Sequence, residues 1–298
     1  MSIVGMDELL AHALKNKYAV GYFEAWEQYS LEAALEAAEE ANSPLILGFG
    51  GAVTNQSWLD GHGIEELSIL ARLLAERAKV PACVLLNEVP TFGEILRGLR
   101  SGCNAVMLDT SHLPYEENLR LTKKATEVAH ALGATVEAEL GHLADGTNAS
   151  VRAIQTNPEE AARFVAESGV DALAVSVGNM HILLGNESPV DLDLLARIHA
   201  AVPVPLVMHG GTGFPSSAIK QAIERGIAKF NVGTILKKTF LDGIQKAINA
   251  LPEKYNIQEY LGCRYENDIL LDGKRQMKGE IQRLMNLYGC VGQAKNWH

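Results

Sequence analysis

Three side chains that close apolar runs have the types a metal centre needs: Glu88 in CVLLNEVP, His181 in SVGNMHILLG and His209 in PLVMHGGTG. Imidazole nitrogen and carboxylate oxygen are common zinc ligands, and two histidines with one glutamate form a catalytic set that leaves a position open. A lone histidine after an apolar strand is ordinarily a satisfied structural residue. Two of them accompanied by a carboxylate, all following apolar runs, point instead to a divalent ion.

A second group of residues could hold an anion. HGGTG (209–213) offers consecutive backbone N–H groups from Gly210, Gly211 and Thr212, and glycine permits close approach and positive φ. It runs into a helical pattern from Phe214, whose amino end favours negative charge. The device returns in NVGT, which is Asn231, Val232, Gly233 and Thr234. A third group, VEAELG, puts Glu137 and Glu139 on the same face of a strand. If that face is a barrel interior, carboxylates there need a metal or hydrogen-bonding partners. Otherwise one is a solvated rim carboxylate and the other an N–H acceptor.

Positioning these groups requires strands that end where they stand. Strand-like runs fall at about 18–23, 45–49, 82–87, 104–108, 134–140, 171–177, 205–209 and 228–232, with helical patterns between them and one more at about 234–250. Near-continuous apolar strands alternating with amphipathic helices predict a parallel sheet covered by helices. Eight such units predict a (β/α)8 TIM barrel, and no GxGxxG after the first strand supports the rival, an open doubly wound sheet. The expected organisation is one domain over 1–298, with a helical C-terminal extension from about 251 packed on the barrel. Active sites of such barrels lie at the carboxyl ends of the strands. There the polar residues gather: Glu24, Asn87, Glu88, Asp109 with His112, Glu137, Glu139, His181, His209 and Asn231. In this frame the two glycine motifs follow strands seven and eight, where barrels often hold a phosphate.

The remaining composition narrows the partners. With a formal net charge of -10 the chain is a poor match for nucleic acid or an anionic membrane, though a local pocket can still bind phosphate. The four cysteines form no CxxC pair, and no apolar stretch reaches membrane-spanning length. No signal peptide is visible at the amino terminus, so the expected location is the cytoplasm.

Taken in order, SPLIL, AVMLDTSHLPYEEN, VEAELG, GVDALAVSVGNMH, VPLVMHGGTG, AKFNVGT and YGCVGQA resemble class II ketose-bisphosphate aldolases of the fructose- and tagatose-bisphosphate type, across essentially the whole chain. The resemblance implies a TIM barrel, a homo-oligomer (dimer or tetramer), a phosphorylated ketose substrate and a divalent ion, Zn2+ first, that polarises dihydroxyacetone phosphate. It places His181 and His209 at zinc-ligand positions, and Asp109 and Glu139 where carboxylates offer the ion an alternative seat. Gly210, Gly211, Thr212 and Asn231 to Thr234 fall on the phosphate-binding segments.

The departures concern chemistry. Where the family has Asp-His-His, with Asp as proton donor and the first His as ligand, this chain has Asn87-Glu88-Val89. The family's G-T-A-H-G is Gly178-Asn179-Met180-His181-Ile182, and its Phe-Asn is Phe23-Glu24, so Gly178, Ile182 and Glu24 are substrate-side positions. The loop HLADGTNASV, acidic in the family, retains only Asp145. A carboxylate in place of an imidazole lowers the charge of the site by one unit, which makes Mn2+ or Co2+ plausible beside Zn2+. Asn87 can donate a hydrogen bond to an oxyanion but cannot release a proton near neutrality. The acid or base must then be Asp145, Glu24, His112 or water, with Glu139 beside them. The leading expectation is a metal-dependent aldolase-like lyase working through a metal-stabilised enediolate, on a phosphorylated ketose other than fructose 1,6-bisphosphate. The alternatives are a sugar-phosphate epimerase or isomerase, and a non-catalytic sugar-phosphate-binding protein.

Overall fold

A computed structural model describes residues 3–51, 55–147 and 153–297. Residues 148–151 of HLADGTNASV lie outside them. In chain order the elements are α1 (Met6–Asn16), β1 (Val20–Glu24), α2 (Gln28–Ala41), β2 (Leu45–Gly50), the short turn α3 (Gln56–Trp58) and α4 (Ile64–Arg77). Then come β3 (Ala82–Val89), α5 (Phe92–Ser101), β4 (Ala105–Leu108), α6 (Tyr115–Ala131), β5 (Thr135–Leu140), β6 (Ala144–Asp145) and α7 (Pro158–Ser168). The last are β7 (Ala172–Val175), β8 (Met180–His181), α8 (Leu192–Ala201), β9 (Leu206–Met208), α9 (Ile219–Glu224), β10 (Ile227–Val232), α10 (Thr234–Asn249) and α11 (Ile269–Tyr288).

Eight strands close into a parallel barrel in the order β1-β10-β9-β7-β5-β4-β3-β2, which disposes of the open-sheet alternative. Closure follows from the sequence: β1, β2, β4, β7, β9 and β10 are buried at every residue, as strands covered on both faces must be. The helices between them stop and start on local chemistry. Thr91 caps α5 and forms a capping box with Glu94, while Asn157 caps α7 ahead of Pro158 at the first helical position. The left-handed glycines Gly102 and Gly169 end the same two helices.

The C-terminal extension is largely α11, which packs on α2 and α10. Its buried face carries Met277, Ile281, Leu284, Met285 and Tyr288, and the Tyr288 ring stacks on Phe230 of β10 at 4.7 Å. On its wet side Lys274 and Lys278 pair with Glu32 and Glu40 of α2. Such partly exposed pairs contribute little, so burial of the apolar face is what docks the helix. No described helix is long and apolar enough to cross a membrane.

Two local features differ from the sequence expectation. β3 does not stop at Asn87 but continues to Val89 through a register shift after Leu86, with Glu88 in the left-handed region at φ 48°. A short parallel pair, β6 with β8, stands beside the barrel and sets Asp145 opposite His181.

Candidate active site at the carboxyl ends of the strands

The bulge in β3 aims Glu88 at the barrel axis. There its Oε1 lies 3.0 Å from His209 Nδ1 and 3.7 Å from His181 Nε2. Glu139 reaches the same point from β5, its Oε2 3.4 Å from His209 Nδ1. One ligand atom from each of Glu88, Glu139, His181 and His209 lies within 4.8 Å of the others. Two imidazoles and two carboxylates, largely withdrawn from water, are a donor set that fits a divalent ion.

Around that set opens a cleft lined by Glu24, Asn87, Ile182, Gly210 to Thr212 and Asn231 to Thr234, together with Tyr22. Gly210 is left-handed at φ 70°, and a Cβ there would stand 2.0 Å from the Met180 carbonyl oxygen. Close packing of these two loops therefore demands glycine. Thr212 Oγ1 accepts the Ile235 N–H at 3.2 Å, so the first glycine loop is tied to the amino end of α10 beside the second. Ile182, which follows His181, is also left-handed at φ 49°, a costly conformation for a β-branched residue. Strain at both Glu88 and Ile182 flanks the ligand cluster, the usual location for such strain.

The charges are strongly coupled. Burial raises the pKa of Glu88, but His209 and His181 outweigh it and hold the carboxyl down at about 2. Burial alone would lower His209; Glu88 and Glu137 overcome this and push it up to about 10. Glu139 is pushed up to about 8 by burial, with Asp109 and Glu88 adding to the shift against His209. His181 is lowered, mainly by burial. Metal-free protein at neutral pH therefore carries a His209 imidazolium that an incoming ion must deprotonate. Loading Zn2+ at pH 7 in weak buffer is expected to release about one proton from His209, plus a share from Glu139. Affinity should accordingly rise with pH and level off as pH approaches the His209 value; affinity flat between pH 6 and 8 would contradict this protonation scheme.

Asp109 follows β4, which ends at Leu108 as expected; its Oδ1 accepts from the Ser111 N–H and hydroxyl, and it raises the pKa of Glu139 while standing outside the four-residue cluster. Gly178 does not line the cleft; its positive φ of 102° lets its backbone pass the Pro189 carbonyl, 1.9 Å from where a Cβ would be. The picture of Glu137 and Glu139 as one solvated and one N–H-bonded carboxylate is also overturned. Both are buried, and Glu137 bonds Lys229 and His209. Asn87 spends an amide N–H on Glu88 Oε2 at 2.7 Å, and its own Oδ1 has no partner among the described residues. Tyr22 and Lys229 were not singled out from the sequence, although a lysine inside the apolar run AKFNV was a visible signal.

The geometry agrees with three comparisons. The family profile described as fructose-bisphosphate aldolase class-II matches residues 4–293. The chain belongs to the class II fructose-bisphosphate aldolase family. Class II aldolases are metal-dependent lyases, so an aldolase-like lyase is the activity this membership assigns, without fixing the substrate. A fructose-bisphosphate aldolase of Thermus caldophilus is 35% identical over 322 aligned residues, covering 99% of this chain and 100% of that protein. The Klebsiella oxytoca D-tagatose-1,6-bisphosphate aldolase subunit GatY is 34% identical, covering 98% and 100%. Among solved structures, the YdjI aldolase of Escherichia coli K12 superposes with a TM-score of 0.82 at 30% identity, covering 99% of this chain and 100% of that one.

Proposed function

We propose that this family member makes or breaks a carbon–carbon bond in a phosphorylated ketose other than fructose 1,6-bisphosphate, using a divalent ion held by Glu88, His181 and His209. Zn2+ is the first expectation, with Mn2+ and Co2+ admitted by the extra carboxylate. When bound, the ion supplies Lewis acidity toward a substrate oxygen. The single observation that carries the reading is that the Glu/His cluster and the paired glycine loops open on one cleft.

The chain's own residues have separable tasks. Backbone N–H groups of Gly210 to Thr212 and of Asn231 to Thr234, with the amino end of the 16-residue α10, bind the phosphate and fix the register of the carbon chain. Asn87 orients Glu88 through its 2.7 Å hydrogen bond, and Glu139 offers a second carboxylate at the same point. Among the described residues, Tyr22 Oη, Glu24 Oε1 and Asn87 Oδ1 are buried without hydrogen-bond partners, which favours a polyhydroxylated ligand. Asp145 is the proton-carrying group, set beside His181 by the β6–β8 pairing. In Asp145→Asn the Oδ1 contact to Thr147 survives, so the turn should persist. We expect kcat to fall by about 10²–10⁴ with metal content unchanged. Wild-type kcat in that variant would remove Asp145 from the mechanism.

The substrate class is tested by incubating metal-loaded protein with a panel of phosphorylated ketoses and assaying aldehyde release. Cleavage of at least one ketose other than fructose 1,6-bisphosphate is expected. Solvent deuterium entering substrate carbon without any aldehyde would establish the epimerase or isomerase reading instead. Homo-oligomerisation as a dimer or tetramer is part of the proposal, supported by the exposed Tyr255, Ile257, Leu261 and Tyr265 on one segment.

A further inference from the structure

Strand β1 carries two buried polar side chains into the cleft. Tyr22 and Glu24 stand two residues apart, so both project from the same face of the strand, and both line the cleft. They are 1% and 7% exposed, and among the described residues neither Tyr22 Oη nor Glu24 Oε1 has a hydrogen-bond partner. Buried polar atoms are nearly always bonded, so two orphans on one wall of a cleft call for a ligand.

Glycines make the room for both side chains. A Cβ on Gly48, which pairs with Glu24 across β1 and β2, would collide with the Leu85 carbonyl and the Tyr22 ring. A Cβ on Gly233 would collide with Glu24 Oε2, so that oxygen packs against the second glycine loop. The orphaned Oε1 points the other way. A Cβ on Gly51 would stand 3.5 Å from it and 2.5 Å from Glu88 Oε2. The Glu24 carboxyl group thus extends from the anion cradle toward the ligand cluster.

The chemistry of the two atoms is complementary. Burial, with Glu24 adding to it, pushes the Tyr22 phenol well above its usual range, so the hydroxyl keeps its proton and can donate. A carboxyl group keeps acceptor lone pairs in either protonation state. An alcohol answers both, accepting from Tyr22 Oη while donating to Glu24 Oε1. A methylene can do neither, and a phosphate dianion has no proton to give.

We propose that Tyr22 is a specificity-determining residue: together with Glu24 it grips a free hydroxyl of the sugar, and so selects hydroxylated phosphate esters over their deoxy counterparts. This deepens the function proposed above and rests on its phosphate reading. Tyr22→Phe, which removes only the hydroxyl, and Glu24→Leu, which removes the acceptor, are the variants that test it.

Calorimetry on the full-length protein as purified measures binding of inorganic phosphate, propyl phosphate and glycerol 3-phosphate. The two esters share chain length and phosphate charge and differ by two hydroxyls. Wild type is expected to bind glycerol 3-phosphate about 10–100-fold more tightly than propyl phosphate, and each variant to lower that preference about 5–10-fold. Affinity for inorganic phosphate should be unchanged, which separates lost recognition from a damaged fold. If Glu24→Leu does not fold, Tyr22→Phe decides. Hydroxyls that touched only the ion would keep the full preference in Tyr22→Phe, and that result would overturn the proposal. Equal wild-type affinity for the two esters would overturn it as well while leaving the phosphate reading intact. Binding of none of the three probes would end both.

Discussion

Glu88→Ala is expected to strip the ion far more severely than Asn87→Ala. Glu88 contributes an oxygen to the four-residue cluster and is the negative partner of His209 Nδ1 at 3.0 Å, whereas Asn87 reaches the cluster only by donating to Glu88 Oε2. Loss of an orienting partner costs about 10–100-fold in metal affinity, and loss of the ligand itself should reach or exceed the upper end of that range. The His209 imidazolium adds to the effect. Without Glu88 one counter-charge is gone, yet Glu137 still holds the Nε2 side. Elemental analysis after dialysis against a mild chelator reads the outcome: metal near background in Glu88→Ala and partly retained in Asn87→Ala. Equal metal content in the two variants would refute the assignment of Glu88.

The second large effect concerns the anion cradle. Gly210→Ala places a methyl where the Met180 carbonyl oxygen is 2.0 Å away, with φ at 70°, so the loop must move. Movement there takes the Gly210 to Thr212 N–H groups away from the cleft and pushes on the strand that carries His181. A hydrogen bond to a charged group contributes about 1.5–3 kcal/mol, so losing one or two should weaken inorganic phosphate binding on the order of 100-fold. Gly185→Ala is the control, because Gly185 has a similar φ of 80° but nothing within 4 Å of an added Cβ. It bears the backbone cost without the collision and should bind phosphate as wild type does. If both variants lose phosphate equally, the effect is general destabilisation and the cradle assignment fails.

Much of this site could be read from residue types along the chain. All eight barrel strands lie within a few residues of their expected places, because runs such as LILGF and ALAV have one stable destination, a sheet covered on both sides. His209 was legible because a histidine directly after a barrel strand stands at the carboxyl rim, and His181 because it follows the β7 run at the same end. The glycine loops were legible because two of them followed the last two strands. Gly178 was not legible in this way, because a glycine's purpose depends on which backbone passes it.

The left-handed turns at Glu88 and Ile182 had no sequence signal, since both residues ordinarily avoid that region. Nor could the interior pairing of Glu137 with Lys229 be located in advance. It joins β5 to β10, strands far apart in sequence, and their separation across the barrel depends on closure and register. Lysine inside an apolar strand announced that a partner must exist without naming it.

The account stands most directly on where a divalent ion binds. Crystals soaked in Zn2+ or Co2+ and measured at the metal's absorption edge should show an anomalous peak at the carboxyl ends of the strands, bonded to Glu88, His181 and His209 Nδ1. A peak elsewhere, or no peak with Glu88 still bridging to His209, would contradict it.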